Sequence, residues 1–321
     1  MPAFRGSPVG RTLDNMSAER IFNIFIYFDG GVASDYGLRH HRGSGNDQDK
    51  KAFLLAHVDT EHPIARRFPL SRAFTPAQWL SVHRLGKVLE YFEAGFTQFR
   101  APPAPVFCLT PVVDGVATVD LQTNTDPYRG DQVTRQEGGS AVADYLVGYV
   151  DDHGFRFTEL INDDYFKAIR MLFHAQLYVS SAKLLMSCVD TLAYVEFGDV
   201  AGNFTKWIDK YVDLEPHGIS SDELWEFRNS VLHMTNLTSR KVLSGKVTSI
   251  MPYVGDSRLL PTLSASNPKL FNLLGLITAI SDGVGRWAET YSQDSDKFLT
   301  FIERYDLTIS DSRVASFTLD P

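Results

Sequence analysis

One segment of this 321-residue chain shows clearly where a helix begins and which of its sides is buried. Within residues 220–233, Ser220 and Glu223 have the Ser-x-x-Glu spacing of a capping box, and acidic side chains fill the first turns, where the helix dipole favours negative charge. Leu224 and Phe227 begin a series of apolar residues at three- and four-residue steps. The segment therefore predicts a capped amphipathic helix with one side in the core of a helical bundle.

The polar side of this predicted helix carries Arg228, Asn229 and His233. Arg228 and His233 are five residues apart, about 140° around the axis and about 7.5 Å along it, so only a side chain as long as arginine brings both groups to one phosphate. Asn229 and His233 are four apart and lie on a common side. Taken alone, Arg228 and His233 also fit an ion-paired arginine and a hydrogen-bonded histidine without a catalytic role. Trp225 and Phe227 are predicted to lie in the core.

The pattern Arg228-Asn229-x-x-x-His233 resembles the Arg-x(4–6)-His motif of the HEPN superfamily, small helical domains that include many metal-independent ribonucleases. An upstream segment, residues 176–193, is similar to an early helix of that family, which follows a tyrosine-bearing break and carries an acidic residue near its end, here Asp190. The likeness covers roughly residues 158–305 and leaves the first half of the chain unexplained.

This resemblance implies an RNA endonuclease that needs no metal or cofactor. His233 would act as general base or acid on the RNA, and Arg228 would stabilise charge on the phosphorane. Asn229 would orient the imidazole or bind a phosphate oxygen, and Asp190 would lie near the same cleft. The family also implies a homodimer formed through the motif helix, and a bacterial defence or toxin system as the setting. Arg240, Lys241 and Lys246 follow the motif and are predicted to contact the RNA backbone.

The charge balance limits how RNA could be held. Residues 1–154 contain 15 basic and 18 acidic residues, net −3, and residues 155–321 contain 16 and 21, net −5, which together give the net charge of −8. Neither half has a domain-wide positive field for nonspecific nucleic-acid binding. Any RNA contact must therefore come from a local patch or from a surface assembled between subunits.

The first half mixes strands and helices, and the chain turns helical after a break at residues 151–154. This predicts an α+β fold, with a mixed domain of sensor or regulatory role over residues 1–154, where a regulatory partner would bind, and a HEPN-like helical domain over residues 155–321. The predicted elements of the first domain are a strand at 21–28, a loop at 36–51, a strand at 52–58, a helix at 75–99, a hairpin of 106–113 with 116–123, and a helix at 140–150. Those of the second are helices at 163–174, 180–195, 201–212, 269–291 and 295–305, with a strand at 246–254.

Other site classes find less support in the sequence. Cys108 and Cys188 are far apart in apolar surroundings, which indicates buried, reduced thiols in a cytoplasmic protein. No window approaches the about 20 apolar residues of a membrane span, so no membrane partner is expected. Residues 57–62 place His57 and His62 beside carboxylates, but no third ligand group follows at a recognisable spacing, so no metal site is predicted.

Two other interpretations remain open at this level. A non-catalytic HEPN module would use the same dimer cleft to bind a nucleotide or protein. A more distant alternative makes the N-terminal domain the active part and the helices a dimerisation apparatus.

Overall fold

The computed structural model describes residues 18–118, 144–151, 153–234, 240–260 and 268–314, and the side chains of residues 233, 234 and 240 lie outside this description. The chain divides into two compact units, Met1–Tyr128 and Arg129–Pro321. The first is built around a β-sheet and the second is mainly helical, so the predicted α+β class is confirmed. Within the described ranges, no helix is both long and apolar enough to cross a membrane.

A five-stranded mixed sheet forms the centre of the first unit, in the order β3-β2-β1-β4-β5. Its strands are β1 (Glu19–Asp29), β2 (Val32–Gly43), β3 (Arg66–Phe74), β4 (Val106–Val113) and β5 (Val116–Ala117). β1 lies in the middle, antiparallel to β2 and parallel to β4. The predicted strand at 21–28 is therefore confirmed as the central strand.

The helices of the first unit are α1 (Asp47–Ala56), α2 (Val58–Glu61), α3 (Pro76–Arg84) and α4 (Glu93–Gln98), with 3₁₀ turns at His62–Ile64 and Val88–Phe92. Successive residues of β1 point to opposite sides of the sheet. On one side Phe25 packs with Val58 of α2, and on the other Phe22 meets Phe96 of α4 edge to face at 5.3 Å. Because both sides are covered, residues 21–28 of β1 are apolar on both sides of the sheet rather than alternating, with Asn23 as the one polar exception.

Two predictions for the first unit are wrong. Residues 36–51, predicted as a loop, form most of β2 and the start of α1, which Asn46 and Asp49 begin with a reciprocal capping box. Residues 52–58, predicted as a strand, are helical, because a short apolar run fits a buried helix as well as a strand. The helix predicted over 75–99 is interrupted after Leu85, where Gly86 adopts a φ of +69°.

The predicted hairpin is confirmed as far as the described residues reach. β4 and β5 pair antiparallel across Asp114 and Gly115, which have φ values of +47° and +82°. Positive φ at both central residues is the backbone of a tight hairpin turn, and it explains the Asp-Gly pair. Residues 119–123 of the predicted second strand lie outside the described residues.

The second unit contains α5 (Leu146–Tyr149), α6 (Phe157–Ile161), α7 (Lys167–His174), α8 (Tyr178–Phe197), α9 (Asn203–Tyr211), α10 (Ser221–Asn229), α11 (Arg240–Leu243), α12 (Leu273–Gln293) and α13 (Lys297–Tyr305). π-helical turns occupy Asn162–Phe166 and Ser230–Met234. Its short strands are β6 (Val150–Asp151), β7 (Gly154–Phe155), β8 (Ile250–Tyr253) and β9 (Lys269–Asn272), and 3₁₀ turns lie at Glu215–His217, Ser257–Leu259 and Asp311–Arg313. The predicted helices over 163–174, 180–195, 201–212 and 295–305 are confirmed, whereas the first four residues of the helix predicted over 269–291 form β9.

The division between the units falls before the predicted boundary at residue 154. Residues 144–151 and 153–155 belong to the helical unit because their aromatic side chains pack into it. Tyr145 lies 5.7 Å from Tyr305, and Phe155 lies 5.5 Å from Phe301, measured between ring centroids. The helix predicted over 140–150 is described only from residue 144, and there it is the short α5 followed by β6.

A buried carboxylate joins four helices of the second unit. Glu196, in the last turn of α8, accepts hydrogen bonds from Lys210 (3.0 Å) and Tyr211 (2.7 Å) of α9, Trp287 (2.9 Å) of α12 and Lys297 (3.0 Å) of α13. Burial alone would raise the pKa of Glu196, but these four donors lower the pKa to about 2. The carboxylate therefore stays charged and holds the end of α8 in place.

We expect Glu196→Gln to destabilise the helical unit by about 2–4 kcal/mol at pH 7. The folded-state pKa lies below the ordinary value of 4.5, so the contribution is complete above about pH 4.5 and is lost as the pH falls towards 2. Urea unfolding followed by tryptophan fluorescence, repeated between pH 7 and pH 3, measures the difference. Glu289→Gln, at an exposed position of α12, is the matched control and should change little. A loss for Glu196→Gln that persists undiminished at pH 3 would contradict this account.

Candidate active site

The motif helix begins where the sequence predicts. The side chain of Ser220 accepts a hydrogen bond from the backbone N–H of Glu223 (3.2 Å), and the carboxylate of Glu223 accepts one from the backbone N–H of Ser220 (2.9 Å). Leu224 and Phe227 are buried, as the apolar stripe predicts. The capping box and the stripe together fix both the start of α10 and the side of it that faces solvent.

α10 does not continue as a regular helix to residue 233. It passes into the π-helical turn Ser230–Met234, whose hydrogen bonds join residues five apart instead of four. The angle around the helix axis between positions 228 and 233 is therefore smaller than the about 140° of a regular α-helix. π-helical turns of this kind occur frequently at functional sites.

The guanidinium of Arg228 is held from several directions. Its Nε and Nη2 both donate to Oδ2 of Asp190, at 2.8 Å and 2.6 Å, and its Nη1 donates to Oδ1 of Asn229 at 3.1 Å. Its Cζ lies over the indole of Trp225, 5.0 Å from the ring centroid. The Arg228 and Asp190 side chains are 18% and 27% exposed, so the pair is partly shielded from water but reachable from it.

Asp190 is positioned by α8, which runs through the middle of the helical unit. Cys188, Val189 and Leu192 are fully buried around it, whereas Asp190 lies on the half-exposed side of the same helix. Burial raises the pKa of the Cys188 thiol, so this neighbour stays protonated and is no nucleophile. Packing of α8 thus presents the carboxylate to Arg228 from a helix separate from α10.

The structure brings together three of the four predicted catalytic residues, Asp190, Arg228 and Asn229. The backbone of the fourth, His233, lies in the adjoining π-helical turn, and its side chain lies outside the described residues. A guanidinium oriented by a carboxylate, with its other edge directed by an amide, is a preorganised cation suited to a phosphate oxygen.

The three basic residues predicted to contact RNA lie in different surroundings. Lys241 forms an ion pair with the buried carboxylate of Glu226 at 3.1 Å, which links α11 to the inner side of α10 and offsets the lysine's charge. Lys246 is exposed. The backbone of Arg240 begins α11, and its side chain lies outside the described residues.

Trp225 is the site residue that sequence reasoning missed. It was predicted to lie in the core, but it is half-buried and contacts Arg228, whereas Phe227 is buried as predicted. The available signal was the three-residue step from Trp225 to Arg228, which places both side chains on one side of a helix.

The two histidines of residues 57–62, His57 and His62, lie at either end of the short helix α2. The carboxylate of Glu61 in that helix contacts Nε2 of His41 and accepts a hydrogen bond from the buried amide of Asn23. Among the described residues, no group of three or more His, Cys, Asp or Glu side chains could hold a metal ion.

A double-mutant cycle on Asp190 and Arg228 should reveal a coupling of about 1–2 kcal/mol in the free energy of unfolding. The expected value lies between those of exposed and fully buried ion pairs, because both side chains are partly buried and two donors share one oxygen. Asp190→Asn, Arg228→Gln and the double variant are compared by urea unfolding.

The control cycle uses Asp256 and Arg258, an exposed pair within one turn, and should show no measurable coupling. Additive effects of Asp190→Asn and Arg228→Gln, as in the control, would show that the pair does not fix the guanidinium.

Comparisons with protein-family models, with curated proteins and with solved structures found no match to this chain.

Proposed function

We propose that the helical unit is a metal-independent RNA endonuclease of the HEPN type. In the proposed reaction the 2′-oxygen of a ribose attacks the adjacent phosphorus while His233 removes the 2′ proton. The bond from phosphorus to the 5′-oxygen breaks, and that oxygen takes up a proton from an acid. The products are a 2′,3′-cyclic phosphate and a 5′-hydroxyl, with no net consumption of protons.

Arg228 stabilises the phosphorane in this reaction. Its positive charge lies where negative charge develops on the phosphate oxygens, and its orientation is set before the substrate arrives. The observation that carries the proposal is the pair of hydrogen bonds from Arg228 to Asp190, made across two helices beside the π-helical turn that contains residue 233. Asp190 acts in it as a positioning residue for Arg228.

Pairing of two copies through the motif helix is part of the proposal. A second copy would bring another His233, so that one imidazole serves as base and the other as acid. It would also place two Arg228 side chains near one RNA backbone, which offsets the net charge of −8 where RNA binds. Lys246 and Arg240 would add backbone contacts, and Lys241 would contribute less because Glu226 neutralises it.

The first unit is proposed to sense a trigger or to restrain the nuclease, in a cytoplasmic bacterial defence or toxin system. A regulatory partner would bind there.

One observation favours a second candidate function. Asp190 balances the charge of Arg228, so the guanidinium adds little net positive charge to the cleft, which suits a non-catalytic HEPN module that binds a nucleotide or a protein there. Such a module would keep the ion pair and have no use for the proton transfer of His233.

Cleavage of labelled RNA in the presence of EDTA separates the two candidates. The unmutated full-length protein should produce fragments with cyclic-phosphate ends. His233→Ala should lower the rate by about 10²- to 10⁴-fold, the usual contribution of a positioned acid or base. Arg228→Gln should lower it by a factor equivalent to about 3–4 kcal/mol of lost charge stabilisation.

The matched control is His217→Ala, since His217 is half-exposed in the 3₁₀ turn before α10 and has no assigned role. This variant should cleave like the unmutated protein. Cleavage that His233→Ala leaves unchanged would refute the site. RNA or nucleotide binding without any cleavage by the unmutated protein would establish the second candidate instead.

A further inference from the structure

Two imidazoles of the first unit lie side by side near its surface and have no role in the proposed reaction. His41 belongs to β2, and His57 lies between α1 and α2. Their ring centroids are 5.8 Å apart, and both side chains are partly exposed. Neutral imidazole is the commonest side-chain ligand of metal ions in proteins, so the chemistry of this pair depends on which ring nitrogens are free.

The backbone of α1 determines the free nitrogen of His57. Its Nδ1 lies 2.7 Å from the carbonyl oxygen of Phe53, one turn earlier. A carbonyl oxygen only accepts hydrogen bonds, so Nδ1 carries the proton and donates it. In the neutral ring the lone pair is therefore on Nε2, the nitrogen farther from the backbone.

A buried carboxylate determines the free nitrogen of His41. Nε2 of His41 contacts Oε1 of Glu61, whose side chain is 6% exposed. The other oxygen of Glu61, Oε2, accepts a hydrogen bond of 2.8 Å from the amide of Asn23, which is fully buried. An ionised carboxylate only accepts, so Nε2 of His41 carries the proton, and Nδ1 keeps its lone pair in the neutral ring.

Both hydrogen bonds are of the kind that metal-binding histidines make. A histidine that binds a metal through one nitrogen almost always donates its other N–H to a carboxylate, a backbone carbonyl or water, which fixes the tautomer and the ring orientation. His41 has a carboxylate as this partner, and His57 has a carbonyl. Two imidazoles on one ion, with nitrogens about 2 Å from the metal, have ring centroids about 5–6 Å apart. The separation of 5.8 Å matches that spacing.

Phe53 keeps the two imidazoles in place. Its ring centroid lies 4.3 Å from that of His57 and 5.1 Å from that of His41. The three rings form one aromatic cluster, which limits the rotation of both imidazoles before any ion binds. Side chains that are already held in position lose less conformational freedom on binding than freely rotating ones.

We propose that His41 and His57 bind one divalent transition-metal ion, through Nδ1 of His41 and Nε2 of His57. Imidazole nitrogen suits Zn²⁺, Ni²⁺ and Cu²⁺, whereas Mg²⁺ and Ca²⁺ prefer oxygen ligands. The site has two side-chain ligands, fewer than the groups of three considered above, so water takes the remaining coordination positions. Glu61 orients His41 and does not touch the ion. The site lies wholly in the first unit and goes beyond the proposed nuclease, whose reaction needs no metal.

Titration calorimetry on the full-length protein tests the site with Cu²⁺, Ni²⁺, Zn²⁺ and Mg²⁺ salts. Cu²⁺ should bind most tightly, and Mg²⁺ should not bind. Glu61→Gln should weaken Zn²⁺ binding by about 10- to 100-fold, the usual effect of changing an outer-shell partner. His57→Ala should weaken it at least as much, because it removes a ligand. His174→Ala, at an exposed histidine that ends α7, is the matched control and should change nothing.

Electron paramagnetic resonance of the one-to-one Cu²⁺ complex gives a second measurement, which needs no variant. The unmutated protein should show hyperfine coupling to two imidazole nitrogens, and His57→Ala should show coupling to one. A single imidazole nitrogen in the unmutated protein would overturn the proposal. So would Zn²⁺ binding that His57→Ala leaves unchanged, or that His174→Ala weakens equally. None of these measurements involves RNA, so their outcome is separate from that of the cleavage assay.

Discussion

The arrangement of the helical unit depends on the hydrogen bonds that the carboxylate of Glu196 accepts. A negative side chain in the last turn of a helix opposes the helix dipole, so its charge there needs other partners. Donors from α9, α12 and α13 supply them. The guanidinium of Arg304 in α13 also donates to the backbone carbonyls of Val195 and Glu196, at 2.7 Å and 2.8 Å, and so satisfies the end of α8. The C-terminal end of α8 is thus fixed by electrostatics and its middle by packing.

The candidate site follows from that fixed helix. Asp190 lies six residues before Glu196 on α8, and its carboxylate has a set position because the turns on either side of it are buried or tied down. Arg228 then has a fixed partner, and the indole and the amide beside it restrict the guanidinium further. On the inner side of α10, Glu223 and Glu226 pair with Lys269 and Lys241, which anchors the helix to the segments that follow it. The contacts of Arg228 therefore fix its guanidinium on one side of α10, and the ion pairs of Glu223 and Glu226 hold α10 in place on the other side.

Local signals in the sequence predicted the parts of this fold that depend on local interactions. The capping box at Ser220 and the Asp114-Gly115 turn involve residues that are neighbours in the chain, so both could be predicted from the sequence. The capping box at Asn46 was equally local, but the polar, glycine-bearing composition around it suggested a loop. The apolar run at 52–58 could not be assigned from its pattern, because a buried helix and a buried strand share it.

The geometry of the site could be predicted only in part. The contact between Asp190 and Arg228 joins residues 38 apart, and only the family resemblance suggested their proximity. The exposure of Trp225 depends on how α9 packs against α10. The spacing of apolar residues in the sequence gives no information on that packing. The π-helical turn contacts α8, and helical spacing in the sequence gives no sign of the turn.

The winding of the π-helical turn determines which side of the helix residue 233 reaches. In ordinary α-helical winding the backbone of residue 233 would lie about 140° around the axis from that of Arg228, whereas the wider turn over Ser230–Met234 brings the two positions closer to one line along the helix. A substitution elsewhere in the turn that restored α-helical winding without changing the number of residues would therefore move residue 233 away from Arg228. The winding of this one turn is thus as much a part of the candidate site as its side chains.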